Sequence, residues 1–299
     1  MSASQARHVV ISANPKSGSK SGLEKAQRLK ELLDNEGWQV DLTTDLDQMQ
    51  RIVEGSDARG ELRTVISAGG DGTATAILNR IPSRVPLTIF PLGSENLLAQ
   101  ELKLPREPSG VLPMVQQMAT RQLDLFRANG SLFLLMASVG FDAQVVRIVH
   151  ESRRSHITRW AYRFAILKAI QSYRWPSLSI EGNREGRWES LGTCHWLFAF
   201  NVPRYAAGIH IIDDALGDDG LLDVGMLTGG NAIVGLWNYL RVALGTHRTS
   251  PRWRECRVSA LRVVSSQGQG GYQLDGDWGG LLPLEINHTG TKATLVVPG

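Results

Sequence analysis

Apolar and polar positions along the first third of the chain switch repeatedly between a strand period and a helix period. His8 to Ala13 is apolar and β-branched, as a buried strand requires. Leu23 to Leu33 has helical spacing, with Leu23, Ala26, Leu29, Leu32 and Leu33 on one face, and Gly37 ends it. Trp38 to Thr43 alternates as a strand, and Asp45 to Glu54 places Leu46, Met49, Ile52 and Val53 on one helical face. Leu62 to Ser67 and Pro86 to Leu92 read as two further strands. Strands alternating with helices predict a parallel sheet covered on both sides, and ligands of such sheets sit beyond the carboxyl ends of the strands.

The pattern changes after about residue 122. Gln122 to Ala128, Leu132 to Val139, Ser177 to Glu181, Trp196 to Asn201, Leu222 to Leu227, Arg257 to Val264 and Tyr272 to Leu274 read as strands. Only Trp160 to Tyr173 and Ala232 to Leu244 read as helices, which predicts an antiparallel, β-rich second half. The expected division is 1–122 and 123–299, with the last few residues returning to the first domain and the two halves packed around a cleft. Trp237, Leu240 and Leu244 read as core.

Three turns fall at predicted strand ends: Asn14 to Gly18, Gly69 to Thr73 and Gly93 to Asn96. The second, Gly-Gly-Asp-Gly-Thr between a strand and a helix, is the most informative. Its glycines let a ligand approach the backbone, and the N–H groups of the helix start favour an anion. Asp71 would repel a bare phosphate, so a divalent cation or the proton of an attacking hydroxyl is expected beside it. The P-loop is excluded, because Ser19-Lys20-Ser21 lacks its glycine, and G-x-G-x-x-G is absent from the first strand–helix turn.

Composition narrows the class. The chain has 299 residues, 42% hydrophobic and 20% charged, which suits two folded domains rather than disorder. A net charge of +3 is too small to argue for nucleic acid. Two cysteines, Cys194 and Cys256, make neither a disulfide framework nor a zinc pattern. With no signal-peptide pattern and no apolar run of spanning length, a cytoplasmic protein is expected, able to lie on the inner face of a membrane.

Taken together, these turns resemble the diacylglycerol kinase catalytic-domain family, which includes bacterial lipid kinases and sphingosine and ceramide kinases. Gly69-Gly70-Asp71-Gly72-Thr73 is similar to its signature, and Asn14-Pro15-Lys16-Ser17-Gly18 to its first turn. Pro91-Leu92-Gly93-Ser94-Glu95-Asn96 resembles its Pro-Leu-Gly-Thr-x-Asn turn. Asp219-Gly220-Leu221-Leu222-Asp223 resembles Asp-Gly-x-Leu-Asp, and Leu274-Asp275-Gly276-Asp277 the Asp-Gly-Glu turn. The resemblance spans almost the whole chain; a Gly-Ile-Asn segment of the NAD kinase type is absent at Pro91 to Asn96.

The resemblance implies an α/β, Rossmann-like nucleotide-binding domain followed by an antiparallel β-sandwich. It implies ATP and Mg2+ as cofactors, a lipid substrate at a membrane surface, no nucleic acid, and a chain that could form a homodimer. Asn14, Lys16, Gly18, Thr43, Gly69, Gly70, Asp71, Gly72, Thr73, Ser94 and Asn96 would surround ATP. Leu216, Asp219 and Leu221 would hold magnesium. Asp277 would be the general base, and Asp71 would hold the nucleotide's magnesium or orient the acceptor hydroxyl. The chain departs from the family at Thr75-Ala76, where Asn-Glu is usual, at Leu97, where Asp is usual, and at Asp277, where Glu is usual. Asn201 to Gly208 keeps one glycine where three are common. These departures leave open a weakly catalytic nucleotide- or lipid-binding protein, or a kinase of a soluble polyol. The stretch His150 to Tyr173, with Arg153, Arg154, His156, Arg159, Arg163 and Lys168 beside Trp160, Phe164, Leu167 and Ile170, reads as a core-packed helix with a basic face, and alternatively as a docking element for anionic headgroups.

Overall fold

The computed structural model describes residues 6–15, 21–93, 95–151, 159–205, 209, 211–266 and 270–299. The chain divides into two compact units, Met1–Leu125 with Gly290–Gly299, and Phe126–Thr289.

The first unit follows the alternation of periods. Its elements are β1 (His8–Ala13), α1 (Ser21–Asn35), β2 (Gln39–Thr43), α2 (Leu46–Ala58), β3 (Leu62–Gly69), α3 (Asp71–Leu78), β4 (Leu87–Pro91), α4 (Leu97–Glu101) and α5 (Pro108–Gln117), leading into β5 (Thr120–Ala128). The strands lie in the order β2-β1-β3-β4, every pair parallel. The carboxyl ends of all four therefore line one edge. Near the C-terminus Leu295 pairs in parallel with Leu87 of β4. Val9, Ile11, Ile66 and Phe90 pack against Ala26, Leu29 and Leu33 of α1 and Val111 and Val115 of α5. Asp45 caps α2 by accepting the N–H groups of Asp47 and Gln48. Helix α5 escaped the sequence reading because Pro108 opens it and Pro113 interrupts its pattern.

The second unit continues with β6 (Ser131–Phe133), β7 (Met136–Val139), α6 (Phe141–Glu151), α7 (Arg159–Ser172), β8 (Leu178–Arg184), β9 (Arg187–Cys194), β10 (Trp196–Phe200), β11 (Leu222–Leu227), α8 (Ala232–Ala243), β12 (Trp253–Val258), β13 (Ala260–Ser265), β14 (Gly271–Leu274), β15 (Asp277–Leu281) and β16 (Leu284–Val296). One antiparallel sheet has the order β12-β11-β10-β7-β14-β15. In a second, β16, β13, β8 and β9 pair antiparallel in that order. Inward residues of both share one core, among them Ala137, Leu197 and Val224 from the first and Ile180, Leu261 and Ile286 from the second. This is a β-sandwich.

Helix α6 was not foreseen from sequence. Val145, Val146, Ile148 and Val149 are β-branched and poor helix formers, yet Val145, Ile148 and Val149 are buried, so tertiary packing outweighs propensity there. The core assignment of α8 is overturned: Trp237, Leu240 and Leu244 are exposed, and the buried positions of that helix are Gly235, Asn238 and Val242. Phe164 and Leu167 of α7 are exposed too, against the expected core packing of that stripe. Residues 152–158, with Arg153, Arg154 and His156, lie outside the described residues. No described helix is long and apolar enough to cross a membrane.

Candidate functional site

In the first unit the three polar turns meet at the carboxyl edge of the parallel sheet. The Asn14 N–H donates to Ala68 O at 3.1 Å, and the Leu92 N–H donates to Gly69 O at 2.9 Å, so each turn leaves its strand beside the next. Asn14 Nδ2 donates to Thr73 Oγ1 at 3.2 Å. Thr73 accepts this bond and keeps its own hydroxyl proton for another acceptor. Glycine is sterically required here. A Cβ on Gly69 would stand 2.3 Å from Thr73 Oγ1, and one on Gly93 would stand 2.7 Å from Asn96 Oδ1. Helix α3 begins at Asp71 behind Gly70, which provides no side-chain cap. The Thr73 N–H turns back to Gly70 O at 3.0 Å, which leaves the N–H groups of Asp71 and Gly72 to whatever anion lies there.

Asp71 does something the sequence did not suggest. Its Oδ2 accepts the Leu97 N–H at 2.8 Å and its Oδ1 the Leu98 N–H at 3.1 Å. It thereby caps α4 from a distance, in place of Asn96, whose side chain makes no cap bond. Burial pushes the Asp71 carboxyl above its ordinary pKa; the two N–H donors act against this, and Glu95 adds to the rise. Asn96 adopts a left-handed conformation with φ 52°, accepts the Gly93 N–H through Oδ1 and donates through Nδ2 to Gly93 O, closing the third turn on itself. Thr43, at the end of β2, is buried and donates its hydroxyl to Gln48 Oε1 at 2.7 Å while accepting the Asp45 N–H at 3.1 Å. Its hydroxyl serves the start of α2. Lys16, Gly18 and Ser94 lie outside the described residues.

In the second unit, Asp275 and Gly276 have φ values of 50° and 89° and join β14 to β15 as a two-residue hairpin, with Leu274 opposite Asp277. The two aspartates of this turn differ. Asp275 accepts the N–H groups of Leu134, Leu135 and Met136 at 2.7, 2.8 and 3.0 Å, fastening the turn to the chain before β7. Asp277, the expected base, is exposed at the first position of β15. The Asp-Gly dipeptide signalled the hairpin; the anchoring task of Asp275 had no sequence signal.

The mapped magnesium ligands meet a competitor. Asp219 Oδ1 accepts the Leu221 N–H at 3.1 Å, and its other oxygen is bonded to the guanidinium of Arg257. Arg257 Nε also lies 3.2 Å from Asp223 Oδ1. Arg248 contacts Asp213, Asp214 and Glu255. Asp219, the charged member of the set Leu216, Asp219 and Leu221, is thus paired with a cation, and a divalent ion at these oxygens would compete with Arg257 for the carboxylate. Among the described residues, no three His, Cys, Asp or Glu side chains gather as a metal cluster. Asp223 is pushed up to about 6, first by burial and then by Asp214 and Glu255, with Arg248 acting against the rise.

A buried carboxylate, Asp142, went unnoticed in the sequence. It accepts from Ser138, from Trp196 Nε1 at 3.0 Å, from the Tyr205 hydroxyl at 3.2 Å and from the Ala143 N–H at 2.9 Å. Burial raises its pKa, and these donors oppose the rise.

Comparison with known proteins agrees with this geometry. Residues 8–128 match the diacylglycerol kinase catalytic domain, and residues 136–298 match the YegS C-terminal NAD kinase beta sandwich-like domain. A relative from Pseudomonas syringae pv. syringae (strain B728a), named "Probable lipid kinase YegS-like", is 32% identical over 81% of this chain and 78% of its own. One of the same name from Pseudomonas fluorescens (strain Pf0-1) is 30% identical over 78% of each chain. Two crystal structures from Bacillus anthracis strain Sterne share the fold over 98% of this chain. One, with 16% identity and 96% of its own chain covered, gives a TM-score of 0.73. The other, a diacylglycerol kinase with 18% identity and 97% covered, gives 0.67.

Proposed function

Since the chain belongs to the YegS-like lipid kinase family, built on a diacylglycerol kinase catalytic domain, we propose that it transfers the γ-phosphoryl group of ATP to a hydroxyl of a diacylglycerol-like or long-chain-base lipid. The observation that carries this reading is the meeting of the Asn14, Gly69–Thr73 and Gly93–Asn96 turns at one sheet edge. The α3 N–H groups, and the Thr73 hydroxyl backed by Asn14, are suited to phosphate oxygens. Gly70 and Gly93 keep the floor of the turns free of side chains.

Phosphoryl transfer asks little covalent chemistry of a protein; positioning and charge stabilisation carry most of it. Magnesium entering with ATP would neutralise charge developing on the phosphates. Asp71 acts here as a positioning residue, holding α4 against the glycine turn. Asp277 would accept the proton of the lipid hydroxyl as its oxygen bonds to the γ-phosphorus and ADP departs. Its exposure suits a group that must reach a substrate. The substitution of Leu97 for an acid is compatible with the positioning role, because Asp71 bonds its backbone N–H rather than its side chain.

A second reading, a nucleotide- and lipid-binding protein with little turnover, is favoured by Thr75-Ala76 where the family usually carries Asn-Glu. Labelled ATP with magnesium, offered to a panel of lipids and a panel of soluble polyols, separates the readings. Label in lipid supports the proposal. Label in polyols alone, or ATP binding without transfer, removes it.

A further inference from the structure

Helix α8 exposes its most apolar face. Ile233, Leu236, Trp237, Leu240 and Leu244 recur at helical spacing within one side of the cylinder and are 83%, 39%, 53%, 42% and 74% exposed. The opposite side is fixed. A Cβ on Gly235 would lie 2.0 Å from the Trp175 ring, so the helix backbone rests directly on that indole. Asn238 Nδ2 donates to Thr228 O at 3.1 Å, and the Asn231 side chain caps the first turn through the Val234 N–H. The helix therefore cannot roll to bury the stripe without breaking these contacts. The neighbouring helix α7 adds exposed Phe164 and Leu167, with Lys168 on the same side.

We propose that the exposed faces of α8 and α7 dock this protein on an anionic phospholipid bilayer. Charge decides the occupant. Neither helix contains an Asp or Glu, whereas Lys168 and Arg241 lie on them, and the Arg241 guanidinium sits over the Trp237 ring at 5.4 Å. A cation beside an indole, flanking a stripe of Ile and Leu, is the chemistry of the headgroup boundary: the aliphatic side chains enter the acyl region while Trp and the basic groups stay at the phosphate level. The inference rests on the lipid-kinase reading, whose substrate would be reached from that surface.

The test measures co-sedimentation of the full chain with vesicles of phosphatidylglycerol and phosphatidylcholine in equal parts, and with phosphatidylcholine alone. Ile233→Ser with Leu244→Ser changes two exposed side chains and should leave folding intact, as circular dichroism checks. The wild type should prefer the anionic vesicles, and the double variant should lose at least about tenfold in partitioning. Lys168→Glu should weaken binding to the anionic vesicles alone. Equal binding of wild type and double variant overturns the proposal. So does a stripe-dependent dimer, seen by sedimentation velocity, that binds no vesicles. Phosphorylation of a short-chain, monomeric lipid is measured in parallel. Turnover there without vesicle binding overturns the docking and leaves the kinase reading standing; stripe-dependent vesicle binding without turnover on any lipid supports the docking and removes the kinase reading.

Discussion

Gly93 approaches Gly70 so closely that a Cβ on Gly93 would stand 2.8 Å from the Gly70 Cα. Two of the turns assigned to ATP touch backbone to backbone at this point. Gly93→Ala would force them apart, because its Cβ meets the Gly70 main chain as well as the Asn96 side chain, and the main chain cannot swing aside. The variant is expected to fold, with a stability loss of about 1–3 kcal/mol, and to bind ATP at least about tenfold more weakly. Thermal unfolding and equilibrium nucleotide titration check the two parts separately.

Asp71 fastens the same pair of turns by its side chain. Asn at this position keeps one acceptor oxygen and sets an NH2 group against a backbone donor. The expected cost is about 1–2 kcal/mol, because a buried N–H loses its partner while a buried charge is removed. Hydrogen exchange at the Leu97 and Leu98 amides should accelerate in Asp71→Asn before exchange elsewhere in the first unit does.

Asp275 and Asp277 stand two residues apart with opposite consequences. Asp275→Ala leaves three backbone donors without their acceptor and should lower stability by about 2–4 kcal/mol. Asp277→Asn changes an exposed position, keeps the side-chain shape and should cost less than Asp275→Ala. Urea unfolding of both variants provides the comparison.

Asp223 should titrate near pH 6, above the ordinary carboxylate range. Its pKa rises from 3.8 to about 6 in the fold, so the folded state favours the protonated acid. The stability this group contributes is fully present below about pH 4 and is lost as pH rises through about 6. The loss is smaller than the ~3 kcal/mol that this rise alone would give, because Arg257 Nε, 3.2 Å from Asp223 Oδ1, favours the carboxylate. Asp223→Asn should flatten the stability profile between these limits, and a carboxyl carbon titrating near 6 in NMR should disappear with it.

The alternation of strand and helix periods made the first unit legible almost element by element, because each amphipathic helix covers one apolar strand face. The three turns were legible for the same reason: glycine and asparagine at strand ends answer a local steric demand. Side-chain destinations were not. Thr43, which the resemblance sets beside ATP, bonds Gln48 and the Asp45 N–H at the start of α2, partners that its position at a strand end does not announce. Asp219 read as a metal ligand, and Arg257, 38 positions later, takes that carboxylate through a pairing of β11 with β12 that no local pattern reveals. Helix α6 was hidden by its valines, and the outward face of α8 by its apolarity, since composition alone cannot distinguish a stripe that meets a core from one that meets solvent.

Phosphoryl transfer to a lipid hydroxyl with Asp277 as the base is checked by initial rates of labelled phosphate transfer from ATP to lipid in wild type and Asp277→Asn, with ATP affinity measured for both. The expected result is label in lipid for the wild type, a loss of at least about 100-fold in rate for Asp277→Asn, and equal ATP affinity. Undiminished transfer by Asp277→Asn would contradict the assignment of the base, and absence of transfer by the wild type to any lipid would contradict the account as a whole.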